Sequence, residues 1–167
     1  MYFNDGSSRP ARLRNDLNLG VFWDLPTWSV GPQGDEAARM AAVAAAGFAG
    51  VQCDKPALAR ANGMACSFPG RFDSPGEVDG KVRLWKEQGC VMASVHVGTG
   101  LEDDAEIDAY IVAILTAVRS HQFPLFVETH RATITQDMWR TVQIAKRHPD
   151  LLFNADLSHY YTGQEMT

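Results

Sequence analysis

The sequence predicts an α/β protein of the (β/α)8 TIM-barrel type, with about six βα units in its 167 residues. Short apolar runs alternate with segments of helical periodicity, which is typical of a parallel sheet built from βαβ units. The predicted strands have one apolar side, and the other side turns polar toward the carboxyl end, as expected of strands that line a barrel mouth. No GxGxxG or Walker-type loop follows the first strand, which disfavours an open doubly wound sheet.

The predicted elements follow one another without a low-complexity segment or an obvious linker. The apolar runs of buried strands lie at 18–23, 50–54, 64–68, 90–97, 124–128 and 151–156. Helices are predicted between them at 32–47, 56–62, 74–89, 102–121 and 133–148. Asp35 or a near neighbour is predicted to cap the first helix, and Gly47 is a good stop signal. The fourth helix repeats apolar residues at intervals of three and four, which gives it one broad apolar face.

Composition and charge restrict the function classes. Residues 1–16 carry turn formers and arginines without periodicity, so they are predicted to be a loose leader before a partial barrel at 17–167. The net charge of −5, without a basic run, argues against nucleic-acid and anionic-membrane partners. The three cysteines show no CxxC spacing, and no signal peptide or membrane-length apolar segment is visible. We expect a soluble, cytoplasmic protein with reduced thiols.

Two carboxylates close consecutive predicted strands. Glu128 ends the fifth in FVETHR, and Asp156 ends the sixth in NADLSH. Adjacent strands lie about 4.8 Å apart, so the two side chains can reach a common divalent cation, with Mn²⁺, Mg²⁺, Co²⁺ or Zn²⁺ as candidates. Either residue alone is more simply a helix cap or a partner of Arg131 or Lys146. Their joint position at strand ends, with histidines nearby, favours a metal site.

Polar and aromatic residues near these strand ends are candidate substrate contacts. His159 follows Asp156 by three residues and is a candidate for proton transfer, substrate binding or metal contact. His96 ends the fourth strand before two glycines, although a satisfied core histidine explains it almost as well. His130 and Arg131 are placed to orient an oxygen-rich substrate, and Trp23 to wall the pocket. A surface ion pair for Arg131 and core packing for Trp23 remain the alternatives.

These residues carry a resemblance to a known family. ETHRAT after one strand and NADLSHYYTGQEM after the next resemble the xylose isomerase-like TIM barrel family of sugar isomerases and epimerases, inosose dehydratases and, more distantly, endonuclease-four-type nucleases. The resemblance implies that Glu128 and Asp156 bind a divalent metal, with Glu128 also an acid/base group. It implies that His159 contacts substrate or, as in the nucleases, a further metal. A fourth-strand histidine near the pocket is also familiar in the family and matches His96.

The expected function is that of a metal-dependent isomerase or epimerase acting on a small sugar or polyol. Dehydration of the inosose type and a non-catalytic barrel remnant that acts as a binding or assembly module remain open. A nuclease is disfavoured, because that group needs more histidines and a basic groove. In relatives two further ligands follow the seventh and eighth strands, so the resemblance implies that this chain alone binds metal poorly and is inactive. We expect a truncated chain, or a partner such as a second copy in a homo-oligomer that covers the open sheet edges.

Overall fold

A computed structural model of the protein describes residues 14–22 and 25–163. The strands within this part are β1 Asp16–Asn18, β2 Gly50–Gln52, β3 Ala65–Phe72, β4 Met92–Val97, β5 Leu125–Glu128 and β6 Phe153–Asn154. The helices are α1 Glu36–Ala45, α2 Pro56–Ala61, α3 Val78–Glu87, α4 Asp104–His121, α5 Met138–Arg147 and α6 Ser158–Gly163, with 3-10 turns at Leu19–Phe22 and Pro75–Glu77. The strands are hydrogen-bonded in chain order, and β1–β2, β2–β3, β4–β5 and β5–β6 pair in parallel. This arrangement confirms the predicted fold class.

The chain forms two compact units. The first comprises Met1–Phe68 with Gln88–Val91. Its helix α1 begins where the Asp35 carboxylate accepts a hydrogen bond from the backbone N–H of Ala38, as predicted for an N-cap. The helix is followed by Gly47, whose positive φ of 85° suits a residue without a side chain. The interior of this unit is small and apolar, with Met40 and Val51 fully buried.

The second unit comprises Pro69–Glu87 with Met92–Thr167. Its longest helix, α4, begins with a reciprocal capping box between Asp103 and Glu106. The predicted apolar face of α4 is buried, with Ile107, Ile111 and Ile114 at 0% exposure. None of the helices in the described ranges is long and apolar enough to cross a membrane.

The register of the second unit brings polar side chains together at the strand ends. Val95 pairs with Val127, and Glu128 pairs with Asn154. Val127 is fully buried, and because neighbouring residues of a strand face opposite sides, Glu128 projects to the other side of the sheet. The apolar and polar sides predicted for β4 and β5 are therefore present.

Several element boundaries differ from the prediction. The first strand covers 16–18 rather than 18–23, because the chain turns into a 3-10 segment at Leu19. The last helix before β6 begins at Met138, five residues later than predicted, because Thr133 and Thr135 form hydrogen bonds to loop backbone instead of continuing a helix. Strand β6 has only two residues, and α6, which was not predicted, begins two residues after Asp156.

Candidate metal centre

Two carboxylates and one imidazole converge in the second unit. Glu128 ends β5, Asp156 follows β6, and His159 lies in the first turn of α6. One potential ligand atom from each residue lies within 4.8 Å of the other two, and all three residues are half-buried. No other group of three carboxylate, imidazole or thiol ligands meets this spacing in the part of the chain that the structure describes. We call these three residues the carboxylate–histidine centre.

The Glu128 carboxylate is held in one orientation by two donors. Its Oε2 accepts a hydrogen bond from Ser94 Oγ at 2.9 Å and another from Asn154 Nδ2 at 3.1 Å. Asn154 Nδ2 also donates to Ser94 Oγ at 2.8 Å, so the two donors form a closed triangle with Oε2. The other oxygen, Oε1, lies 3.4 Å from His96 Nε2. We call Ser94 and Asn154 the Glu128 clamp.

The same contacts keep Glu128 ionised. The hydrogen bond to His96 and, more weakly, the bond from Ser94 lower the pKa of the Glu128 carboxyl, and they outweigh burial, which raises it. Glu128 is therefore a carboxylate at neutral pH.

Asp156 repeats this division between its two oxygens. Its Oδ1 accepts hydrogen bonds from Ser158 N at 3.0 Å and Ser158 Oγ at 2.6 Å, while Oδ2 lies 3.5 Å from His159 Nε2. The backbone carbonyl of Asp156 accepts a hydrogen bond from Thr129 Oγ1 at 2.9 Å, which ties the ends of β5 and β6 together. Both carboxylates thus have one oxygen fixed by the protein and one oxygen near an imidazole.

Three imidazoles lie against one another beside the centre. His96 and His130 are stacked with ring centroids 3.9 Å apart, and His130 and His159 are tilted with centroids 4.1 Å apart. Burial lowers the pKa of His130, and positive charge on either neighbouring ring would lower it further. His130 Nδ1 lies 2.7 Å from the carbonyl oxygen of Arg131, so this nitrogen donates and Nε2 of the neutral ring carries the lone pair. We call these three residues the histidine stack.

Two buried threonines hold the loop that carries His130. Thr135 Oγ1 donates to the Glu128 carbonyl at 2.7 Å and accepts from His130 N at 3.2 Å. Thr133 Oγ1 donates to the His130 carbonyl at 2.6 Å. Both threonines are fully buried, and the loop between them and β5 contains Ala132 in the left-handed region, at φ 54°. Side-chain hydrogen bonds therefore hold a backbone conformation that alanine rarely adopts.

The structure brings five of the seven predicted site residues together. Glu128 and Asp156 lie with the three members of the histidine stack. Arg131 is exposed, and Trp23 lies outside the described residues. Neither carboxylate forms an ion pair with Arg131 or Lys146, the alternative that the sequence left open; in the described chain their ionic neighbours are histidines.

Sequence reasoning did not assign functions to the clamp serine or the loop threonines. Ser94 carried a signal, since it shares its side of β4 with His96 and therefore faces the strand ends. The sequence around Thr133 and Thr135 gave no indication of their role, because it resembles the start of a helix.

The comparisons with known proteins support the fold. No family model matches the chain, and no curated protein matches it. Among solved structures it is similar to the probable 3-DHS dehydratase AsbF of Bacillus anthracis, which is involved in petrobactin synthesis, with a TM-score of 0.63 and 14% sequence identity. The alignment covers 88% of this chain and 64% of AsbF, so the chain spans less than two thirds of that protein. At this identity the similarity shows a shared fold.

Proposed function

We propose that the complete protein is a metal-dependent enzyme of the xylose isomerase-like TIM barrel family, which acts on a small sugar or polyol. The observation that carries the proposal is the carboxylate–histidine centre, with its two strand-end carboxylates and one imidazole within 4.8 Å. The fold shared with AsbF is a second support.

The donor set fits a divalent cation. One carboxylate oxygen from each of Glu128 and Asp156 and one ring nitrogen of His159 offer two oxygens and one nitrogen, a set suited to Mn²⁺, Co²⁺ or Zn²⁺ and, with more water, to Mg²⁺. When bound, such a cation would polarise a substrate carbonyl as a Lewis acid and acidify the adjacent C–H. The Glu128 clamp and Ser158 would fix the ligand carboxylates from behind, as outer hydrogen bonds do in other metal sites.

The histidine stack would supply the proton transfer. His130 is held neutral near pH 7, and its Nε2 lone pair is the acceptor that removal of a C–H proton requires. The neighbouring rings of His96 and His159 would contact substrate hydroxyl groups. Glu128 remains a second candidate for acid/base work, since Oε1 lies only 3.4 Å from His96.

Isomerisation, epimerisation and dehydration share the first step. In each, a base removes the proton next to a carbonyl, and the reactions differ in whether the proton returns or a hydroxyl leaves. Dehydration is the second candidate, and the specific observation that favours it is the fold shared with AsbF, a probable 3-DHS dehydratase.

The proposal is tested by metal-dependent ligand binding. Saturation-transfer difference NMR would be recorded with xylulose, fructose, inositol and 3-DHS, with and without Mg²⁺. We expect at least one probe to show transfer that requires Mg²⁺ and is lost in Asp156→Asn. The matched control is Asp150→Asn, an exposed aspartate paired with Arg119, which should leave the signal unchanged. Absence of any metal-dependent transfer, together with a stable oligomer, would contradict the proposal and support a non-catalytic assembly module.

A further inference from the structure

Three thiols of the first unit are in contact with one another. Cys53 follows β2, Cys66 lies in β3 and Cys90 precedes β4; all three are free, and their exposures are 5%, 1% and 6%. Cys66 lies in the middle, with its Sγ 3.7 Å from Cys53 Sγ, and it is close enough to Cys90 for the two thiols to affect each other's pKa. We call these residues the cysteine trio. It has no part in the proposed function.

The sheet fixes the Cys53–Cys66 pair. Strands β2 and β3 run parallel with Val51 opposite Cys66, and Cys53 N donates to the Ser67 carbonyl at 3.1 Å. A disulfide bond is about 2.05 Å long, so the two sulfur atoms need to approach by only about 1.7 Å. Cys66 lies in β3, and Cys53, just past β2, is hydrogen-bonded to that strand through its backbone N–H, so the backbone holds the two thiols side by side in the folded chain.

The trio is arranged in a row and does not surround a common point. No set of three ligand atoms within 4.8 Å of one another includes a cysteine in the described residues, so the three sulfurs do not converge on a cation. A row of thiols with one central member suits bond formation between two sulfurs.

The two sulfurs of the pair also differ in their proton affinity. The hydrogen bond from Cys66 lowers the pKa of Cys53 to about 7, against the opposing effect of burial, and the same bond raises the pKa of Cys66. Cys53 is therefore the more readily ionised thiol of the pair, and the thiolate is the reactive form of cysteine.

We propose that the cysteine trio is a redox-modification site, at which hydrogen peroxide converts Cys53 and Cys66 into a disulfide and leaves Cys90 a thiol. In the first step the Cys53 thiolate attacks one peroxide oxygen; the O–O bond breaks, Cys53 becomes a sulfenic acid and hydroxide leaves. In the second step Cys66 sulfur attacks the Cys53 sulfur; the S–O bond breaks, and the Cys66 proton leaves with the hydroxyl as water. The two thiols are oxidised by two electrons and the peroxide is reduced.

The test uses the reduced wild-type chain and hydrogen peroxide. After oxidation the free thiols are alkylated with N-ethylmaleimide, and the protein is digested with trypsin and mapped by mass spectrometry. The cysteines fall on separate tryptic peptides, 40–60, 61–71 and 87–119, because Pro56 blocks cleavage after Lys55. We expect a product two hydrogens lighter, in which 40–60 is linked to 61–71 and Cys90 is alkylated. In guanidinium the unfolded chain should lose this preference and give mixed pairings.

Matched variants separate the roles of the three thiols. Cys90→Ala should still form the linked peptide. Cys66→Ser, which keeps a hydrogen-bond donor beside Cys53, should not, and its Cys53 should instead be trapped as a sulfenic acid by dimedone. Three alkylatable thiols after a peroxide excess that oxidises free cysteine in the same buffer would overturn the proposal. So would a wild-type product linked only through Cys90, or linked only between chains.

Discussion

Replacing the buried serine of the Glu128 clamp tests how the metal centre is held. Ser94→Ala removes one of the two donors to Glu128 Oε2 and almost no volume. A hydrogen bond to a charged group contributes about 1.5–3 kcal/mol. Because Asn154 Nδ2 still donates to Oε2 at 3.1 Å, we expect only part of this to be lost. Outer-shell substitutions weaken metal binding by about 10- to 100-fold, and the remaining donor places this variant near 10-fold, about 1.4 kcal/mol.

A second effect acts in the opposite direction. Loss of the serine hydroxyl raises the basicity of Glu128 and so strengthens it as a ligand. This gain is the smaller effect, because His96 rather than Ser94 is the main cause of the lowered pKa of Glu128. The loss of orientation is therefore the larger effect, and we expect Ser94→Ala to weaken metal binding.

The assay is calorimetric titration with Zn²⁺ and Mn²⁺. The matched control is Ser67→Ala, a second buried serine, whose hydroxyl donates to a backbone carbonyl in the first unit at 3.4 Å. The control should bind metal like the wild type. The inference that the clamp orients Glu128 is wrong if the wild type binds metal and the dissociation constant of Ser94→Ala is within twofold of the wild-type value, or lower than it.

Three further predictions concern stability. Asp108 has a lowered pKa, chiefly through its hydrogen bond with His148, so it contributes stability above its unfolded pKa of about 3.9 that is lost as pH falls through the lower folded value. Asp108→Asn should lower the free energy of unfolding by about 0.5 kcal/mol at pH 7, as expected for a partly exposed pair, and by progressively less as the pH falls below about 4, measured by urea titration across this range. Gly100→Ala should lower the thermal midpoint more than Gly47→Ala: both have positive φ, but a Cβ at Gly100 lies 2.6 Å from a side-chain carbon, whereas Gly47 has nothing within 4 Å. Thr135→Val should lower the free energy of unfolding by about 1–3 kcal/mol, measured by urea titration, because it leaves two buried backbone groups without their hydrogen-bond partner. Thr135→Ser keeps the hydroxyl and should retain most of the stability, so equal stability of the two variants would contradict this prediction.

The alternation of strands and helices was predictable because it rests on local periodicity and punctuation. Asp35 caps α1, Gly47 follows it in the left-handed region, and the apolar face of α4 is buried as its spacing indicates. The grouping of Glu128 with Asp156 followed from one topological fact, that parallel strands end at the same edge of the sheet.

The remaining features depend on side-chain contacts that no local pattern encodes. The helix predicted from residue 133 fails because Thr133 and Thr135 bond to loop backbone, a competition decided by the position of β5. The contact between His96 and His130, and the contact between Cys53 and Cys66, join residues 34 and 13 positions apart in sequence, through sheet register alone.

The central claim is that a divalent cation binds at Glu128, Asp156 and His159. The most direct measurement is a ¹H–¹⁵N correlation spectrum of the chain with substoichiometric Mn²⁺, whose paramagnetism broadens resonances near its site. We predict selective broadening of the amides of these three residues and of His130. Broadening confined to the acidic start of α4, or no selective broadening, would contradict the claim.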